Sequence, residues 1–194
     1  MSNSSLSDGC VVLRPLRLGD ADDVTRCCQD ADSQRFTHVP VPYTRDDAVA
    51  WLTAHKPSES HRATNPTWAI TMPGVTADRW GGSINLELNP GEPAVVGYMV
   101  APWLRGRGAA TRALRLACRW GFDHAGLTAI QWSAHLGNDA SRRVAENAGF
   151  RIDPEPRRGL LVRGVETDYW SGRVIEAELT DNTSASGRRG VAGG

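Results

Sequence analysis

The sequence has almost no lysine, no excess of either charge and no long apolar run. Its 22 basic residues include a single lysine, Lys56, and 22 acidic residues balance them. A net charge of zero disfavours a surface built to bind nucleic acid. No segment is long and apolar enough for a membrane span, and residues 1–8 lack the basic start and apolar run of a signal peptide. We therefore expect a cytoplasmic protein that binds neither nucleic acid nor a membrane.

The cysteines are few and irregularly spaced. Cys10, Cys27, Cys28 and Cys118 contain no Cys-x-x-Cys pair. Their spacing is typical of neither a zinc site nor a disulfide framework. We expect reduced thiols and no metal site.

A chain of 194 residues is long enough for one domain with a sizeable core. Residues 1–9 are small and polar, and we expect them to be disordered. Residues 179–194 are polar and rich in glycine without apolar periodicity, which predicts a disordered tail. One domain is therefore expected over residues 10–178.

Hydrophobic periodicity and turn residues predict alternating groups of strands and helices in this domain. The predicted strands are 11–14, 67–71, 82–88, 95–101, 129–135, 160–165 and 167–174. The predicted helices begin after N-caps at Asp20, Thr44 and Asn138, and a further helix covers residues 112–125. The strands between 67 and 101 form an antiparallel meander, and the long polar loop 55–66 is of a length that is often functional.

The most informative stretch lies where the strand 95–101 leads into a helix. The pattern Arg105-x-x-Gly108-x-Ala110 stands at the start of that helix. The first N–H groups of a helix have no intrahelical partner, and the helix dipole adds partial positive charge there. Glycine allows an anion to approach the main chain closely. The segment therefore predicts a binding site for a phosphate or diphosphate, and its arginines are either phosphate contacts or solvated loop residues.

Five blocks of the sequence, in this order, resemble the GNAT family of N-acetyltransferases, and most closely its RimJ/RimL-type branch. The resemblance covers roughly residues 11–175. The blocks are Leu13-Arg14-Pro15-Leu16-Arg17 with Asp20, Pro42-Tyr43-Thr44 with Asp46-Asp47-Ala48, Gly97-Tyr98 with residues 105–110, Asn138-x-x-Ser141 with Gly149-Phe150, and Asp168-x-Trp170.

The resemblance implies an α+β fold with a curved, mostly antiparallel sheet flanked by helices, in the order β-α-α-β-β-β-α-β-α-β-β. It also implies acetyl-CoA as co-substrate, with the pantetheine arm in a gap between strands 95–101 and 129–135. The coenzyme positions carried over from the family are Met99, Val100, Ala101, Arg105, Gly106, Arg107, Gly108, Ala109, Ala110 and Asn138. Asn138 is also explained as an ordinary N-cap.

Three residues are candidates for proton transfer, one as the acid and two as the base. Ser141 could protonate the departing thiolate, or could be a plain polar residue in a first helical turn. Related enzymes often carry a glutamate early in the strand matching 95–101, where this chain has Val95 and Val96. Glu87, acting through a water, is our substitute for the base, with a solvated strand face as the alternative. His135 is the second candidate.

The identity of the acceptor stays open. Tyr43, Trp68 and Trp103 are candidates for the acceptor pocket, although aromatic side chains also serve as core or rim packing. A protein N-terminal amine has a pKa near ~8, against ~10.4 for lysine, so it needs less help to become neutral. The branch favours such an amine. A small-molecule amine, such as an antibiotic or polyamine, and a non-catalytic acyl-CoA-binding module are the alternatives, and a homodimer is compatible with the sequence.

Overall fold

A computed structural model describes residues 5–55, 65–162 and 164–179. Most of the predicted loop 55–66, the first four residues of the predicted disordered start, and residues 180–194 of the predicted tail lie outside the described residues. The helices and strands below are numbered in chain order.

The strands form one mixed sheet. Their bounds are β1 Leu6–Ser7, β2 Val12–Arg14, β3 Thr67–Thr71, β4 Gly82–Glu87, β5 Ala94–Val100, β6 Ile130–His135, β7 Arg151–Ile152, β8 Arg157–Val162 and β9 Val165–Val174. The sheet order is β1-β2-β3-β4-β5-β6-β9-β7, and β8 also pairs with β9. The β5–β6 pair is parallel, whereas the other described pairs are antiparallel.

Helices lie on both faces of this sheet. Their bounds are α1 Ala21–Cys28, α2 Ala31–Phe36, α3 Arg45–Ala54, α4 Pro73–Thr76, α5 Ala109–Ala125 and α6 Asp139–Ala148. One core cluster joins β3 and β4 to α5 and α6, and a second joins the sheet to α1 and α3. Trp68 and Ile70 belong to the first cluster and Ala69 to the second, which is why all of β3 is buried.

The predicted α+β fold, with its mostly antiparallel sheet, is confirmed. The predicted N-cap at Thr44 is confirmed, because Thr44 and Asp47 form a reciprocal capping box at the start of α3. At the C-terminal end of the long helix, Gly126 ends α5 in a left-handed conformation.

The start of the chain differs from the expectation. Leu6 and Ser7 pair with Leu13 and Val12, and Leu6 packs against the first core cluster. The prediction of disorder for residues 1–9 therefore does not hold for this short strand. Its composition is polar, but one apolar side chain with a place in the core is enough to order it.

Asp20 also has a different role from the one predicted. It stands at the N-cap position of α1 but makes no side-chain capping bond. Its carboxylate accepts two hydrogen bonds from the buried Arg14 guanidinium, at 3.0 and 2.7 Å, and one from the Arg17 main-chain N–H. The Asp20 carboxylate therefore pairs with the buried Arg14 guanidinium and does not cap α1.

This pair gives a stability prediction. The side chains of Arg14 and Asp20 are 3% and 6% exposed, whereas those of the Arg45–Asp22 pair are 62% and 81% exposed. We expect Asp20→Ala to cost about 3 kcal/mol of unfolding free energy, because it removes the buried carboxylate of the pair and leaves the buried guanidinium with only the exposed carboxylate of Asp78. Asp22→Ala should cost less than about 1 kcal/mol. Urea unfolding of both variants checks this, and equal losses would contradict it.

Candidate functional site

The parallel pair of strands comes apart halfway along its length. Main-chain pairing joins Ala94 to Ile130, Val95 to Gln131 and Val96 to Trp132. Beyond these pairs β5 continues to Val100 and β6 to His135, each paired only with its outer neighbour, β4 or β9. The two inner edges therefore enclose a gap in the middle of the sheet.

The backbone of β5 presents polar groups to this gap. Ala101 N–H donates to Gly81 O at 2.9 Å, on the side away from β6. Because successive residues of a strand direct their main-chain groups to opposite edges, Tyr98 and Val100 direct theirs toward the gap. The Val100 carbonyl there accepts from Arg105 Nε at 3.2 Å. An extended ligand could pair with this edge as a further strand would.

The start of α5 lies at one end of the gap. Gly106 and Gly108 both have φ of 73°, a conformation that favours glycine, and a Cβ on either would meet no heavy atom within 4 Å. Among the described residues no side chain caps this helix, whose N-cap is Gly108. The first N–H groups of α5 therefore face open space with the positive end of the helix dipole. This fits the predicted anion site.

A cavity of about 580 Å³ runs from this helix start into the gap. One wall comes from α2 and the residue after it, the opposite wall from α5 and α6. Its lining residues include Ser33, Phe36, Val100, Arg105, Gly108 and Asn138. Arg143, which the sequence analysis did not single out, also lines this cavity and adds positive charge to it.

A second cavity, of about 660 Å³, lies on the other side of the gap. It is bordered by α1, α3, β4 and the end of β6. Both cavities share the lining residues Phe36, Thr37, Tyr98, Met99, Asn138 and Ser141. The two spaces therefore meet where β5 and β6 separate.

Tyr98 and Ser141 touch at this junction. The Tyr98 hydroxyl lies 2.8 Å from Ser141 Oγ and 3.0 Å from the Ser141 carbonyl oxygen, so its one proton can be donated to either of them. Asn138 caps α6 by accepting from Ser141 N–H at 3.1 Å, which confirms it as an N-cap and fixes the turn that carries Ser141. Burial raises the pKa of Tyr98 to about 12, so its hydroxyl keeps its proton at neutral pH.

Sequence reasoning missed Tyr98 as a functional side chain. The available signal was a single hydroxyl in the otherwise apolar β5, next to Gly97. A Cβ at Gly97 would lie 2.9 Å from the Asn85 side-chain oxygen, so β4 approaches closely there.

The second cavity holds both candidate bases. Glu87, at the end of β4, and His135, at the end of β6, line it, together with His38 and Tyr43. The His135 ring lies 5.8 Å from the His38 ring, centroid to centroid. Burial, together with the neighbouring His38, lowers the pKa of His135. Its imidazole is consequently neutral, and able to accept a proton, at pH 7.

Two of the predicted acceptor aromatics lie elsewhere. Trp68 is 1% exposed in the core and packs edge-on against Trp120 at 5.2 Å, so it is a core residue. Trp103 lies beneath the Arg26 guanidinium, 3.7 Å from its ring centre, beside a separate shallow depression. β3 directs Trp68 into the core, and Trp103 lies in a short 3-10 helix beyond the end of β5, so neither lines the second cavity. Tyr43 alone of the three lines it.

The predicted arginines behave differently from one another. Arg107 is exposed at the turn before α5. The Arg105 guanidinium instead pairs with Asp30 at 2.6 Å and with Asp32 at 3.3 Å. The role of Arg105 as a simple phosphate contact is therefore not evident from its geometry.

Other features of the described residues bear on the function classes. Cys27, Cys28 and Cys118 are buried, Cys10 is exposed, and all are free thiols. Burial raises the pKa of Cys27 to about 11 and that of Cys28 to about 12, which leaves both thiols unreactive at neutral pH. Within the described ranges, three or more metal-ligating side chains do not gather anywhere, and none of the helices has the length and apolar character to span a membrane.

The fold is shared with solved acetyltransferase structures. The structure of Mycobacterium smegmatis RimJ in complex with CoA-disulfide superposes with a TM-score of 0.77 at 22% identity, covering 92% of this chain and 90% of that one. A structure titled RimL, ribosomal L7/L12 alpha-N-protein acetyltransferase, in complex with coenzyme A, gives 0.74 at 14% identity, covering 89% and 98%. These similarities establish the fold.

A curated relative and a family model extend the comparison to sequence. The protein named "Putative ribosomal N-acetyltransferase YdaF", from Bacillus subtilis, is 35% identical over 80 residues, which is 40% of this chain and 44% of that protein. The match thus spans less than half of that relative. The model described as "Acetyltransferase (GNAT) domain" matches residues 11–151, so the predicted family is confirmed and the chain belongs to the GNAT acetyltransferases.

Proposed function

We propose that this protein moves an acetyl group from acetyl-CoA to a primary amine by direct attack of the amine. The observation that carries the proposal is the meeting of the two cavities at Tyr98 and Ser141. One cavity leads to the open helix start, where an anionic group fits. The other leads to the candidate bases, where an amine could lose a proton.

The first cavity is the coenzyme end in this proposal. The N–H groups of residues 106–110 hold the diphosphate, and the main-chain groups of Tyr98 and Val100 face the pantetheine arm. Of the predicted positions Met99, Val100 and Ala101, only Val100 presents its main chain to the gap, because Met99 and Ala101 direct theirs toward β4. Asn138 lines the same cavity beside the junction. When bound, acetyl-CoA supplies an acetyl group already activated as a thioester. The protein then needs to provide orientation and proton transfer, and no covalent intermediate with a side chain.

At the junction, the Ser141 hydroxyl gives its proton to the leaving sulfur. Tyr98 supports this step because its hydroxyl is protonated at neutral pH and lies within hydrogen-bond distance of Ser141 Oγ. A serine alone is a weak acid, so a neighbour that can donate to its oxygen as charge develops favours the transfer.

On the acceptor side, Glu87 takes the amine proton through a water, and His135 is the second candidate. Both line the second cavity. We propose a protein N-terminal amine as the acceptor. In support, the names of two similar proteins refer to ribosomal acetylation, and one refers to an alpha-N-protein acetyltransferase. An amine of this kind also needs less help to become neutral than lysine does.

The direct experiment is an acetyl-CoA consumption assay with pooled N-terminal peptides in one arm and small amines, including polyamines and aminoglycosides, in the other. Turnover with peptides supports the proposal in full. Turnover with small amines alone would show that the acceptor bound in the second cavity is a small-molecule amine. Coenzyme binding without turnover in either arm would indicate a non-catalytic acyl-CoA-binding module.

The diphosphate site is tested by a charge placed at the helix start. Gly108→Glu should weaken acetyl-CoA binding at least about 100-fold, because like charges ~4 Å apart near a surface repel by about 4 kcal/mol. Gly126→Glu, at the other end of α5, is the matched control, since its φ of 66° and its open surroundings are similar. Both variants should lose about 1–2 kcal/mol of stability from the strained conformation. Calorimetric titration that finds equal affinities would refute the placement.

The junction is tested by removing one hydroxyl at a time. Ser141→Ala should lower kcat by about 10²–10⁴-fold, as expected for loss of a general acid, while acetyl-CoA affinity changes little. Tyr98→Phe should lower kcat less, because it removes only the donor to Ser141. Steady-state kinetics with binding measured separately decide this. If Ser141→Ala binds acetyl-CoA more weakly but keeps its kcat, the acid role is refuted.

The base is tested by isosteric substitution. Glu87→Gln should lower kcat by about 10²–10⁴-fold, whereas Glu92→Gln, exposed in the turn after β4, should not change it. A rate that depends on His135 should fall toward acid, below the lowered pKa of that imidazole, and be flat above it. The pH profile of His135→Gln therefore separates the two: loss of that acidic fall, with Glu87→Gln active, would assign the base to His135.

A further inference from the structure

All three guanidinium nitrogens of Arg105 donate hydrogen bonds to other residues of the protein. Nη2 donates to Asp30 Oδ2 at 2.6 Å and to Ser33 Oγ at 3.0 Å, and Nη1 donates to Asp32 Oδ2 at 3.3 Å. Nε donates to the Val100 carbonyl at 3.2 Å. One side chain thus joins the end of β5, on one side of the coenzyme cavity, to the first turn of α2 on the other.

The partners of Arg105 are the residues that begin α2. Asp30 is the N-cap of this helix and accepts from Ser33 N–H at 3.1 Å. Although burial opposes it, the hydrogen bonds from Arg105 and Ser33 keep the pKa of Asp30 below its usual value. A helix of six residues is too short to be stable alone, so its position depends on such outside contacts.

The position of α2 determines a wall of both cavities. Asp32 and Ser33 line only the coenzyme cavity, whereas Phe36 and Thr37 line both. The chain that follows, residues 38–40, lines only the second cavity. A shift of α2 would therefore change the shape of the first cavity and of the second cavity together.

We propose that Arg105 is a positioning residue. It holds α2 in place as one wall of the first cavity, where the coenzyme binds, and so also sets the shape of the second cavity, where the amine binds. This rests on the proposed function for the identity of the two ligands. The N–H groups of the helix start hold the diphosphate, and Arg105 holds the opposite wall in place. The single positive charge of Arg105 offsets part of the negative charge of Asp30 and Asp32, which would otherwise repel an anionic coenzyme more strongly.

The proposal differs measurably from a direct phosphate contact. If Arg105 positions α2, Arg105→Ala should raise both the Kd for acetyl-CoA and the KM for the amine, each about tenfold, the scale of one charge-assisted hydrogen bond. Asp30→Asn should raise both as well, because asparagine keeps the N-cap but loses the charge. The double variant should be no worse than the poorer single variant. Arg105→Lys should recover part of both values.

Arg107→Ala is the comparison within the same turn. Arg107 is exposed, and we expect its loss to weaken acetyl-CoA binding in a salt-dependent manner with the amine KM unchanged. A direct phosphate role for Arg105 would give that same pattern in Arg105→Ala, and Asp30→Asn would then leave both constants unchanged. That result would overturn the proposal.

Hydrogen exchange gives a readout that needs no turnover. In the full-length protein, Arg105→Ala and Asp30→Asn should both speed amide exchange over residues 33–37, while exchange over α5 stays as in the unaltered protein. Unchanged exchange in α2 would overturn the positioning role even if acetyl transfer is found. Faster exchange in α2 without amine turnover would support the positioning role and count against the proposed function alone.

Discussion

The separation of β5 from β6 is the constraint on which the site depends. A parallel pair normally satisfies the main-chain groups of both strands, but here pairing ends at Val96 and Trp132. The groups beyond that point must find other partners, because unpaired buried main-chain groups are costly. One carbonyl, that of Val100, is satisfied by Arg105, and the remaining edge is available to a ligand. The separation also opens the two cavities to each other, so a donor and an acceptor could meet inside the sheet.

The helices that follow β5 and β6 supply further parts of the site. α5 follows β5 after the short segment 101–108, so its N-terminus lies at one end of the gap. α6 starts directly after β6, and Asn138 fixes its first turn so that Ser141 reaches Tyr98 on the neighbouring strand. The residues at the junction thus come from β5, from the start of α6 and from the end of α2. This arrangement places polar side chains where β5 and β6 separate.

Local features of the site could be predicted from the sequence, and long-range ones could not. The Thr44 and Asn138 caps, the glycines before α5 and the apolar strand 95–101 depend on neighbours within a few residues, and each was found. Trp68 was misassigned because an aromatic residue in a strand looks the same whether it faces a cavity or α5. Asp20 was misread, and the partners of Arg105 were not foreseen, because both depend on tertiary contacts: Arg14 lies across a turn from Asp20, and Asp30 lies 75 residues from Arg105. Tyr98 was missed because its partner lies on another helix, 43 residues along the chain.

The arginines around the helix start show how a protein without net charge can still offer an anion site. Arg112, in the first turn of α5, pairs with Asp8 at 2.7 Å, and Arg105 pairs with Asp30 and Asp32. Each of these cations is matched by a carboxylate from a distant segment, and for Arg105 that segment, the start of α2, is a wall of the first cavity. In the proposed diphosphate site, main-chain N–H groups supply attraction for an anion without a counter-charge and with a fixed geometry. Because such a site depends on backbone conformation, we expect the two glycines with positive φ to matter more to it than Arg105 and Arg112, whose charges are already paired.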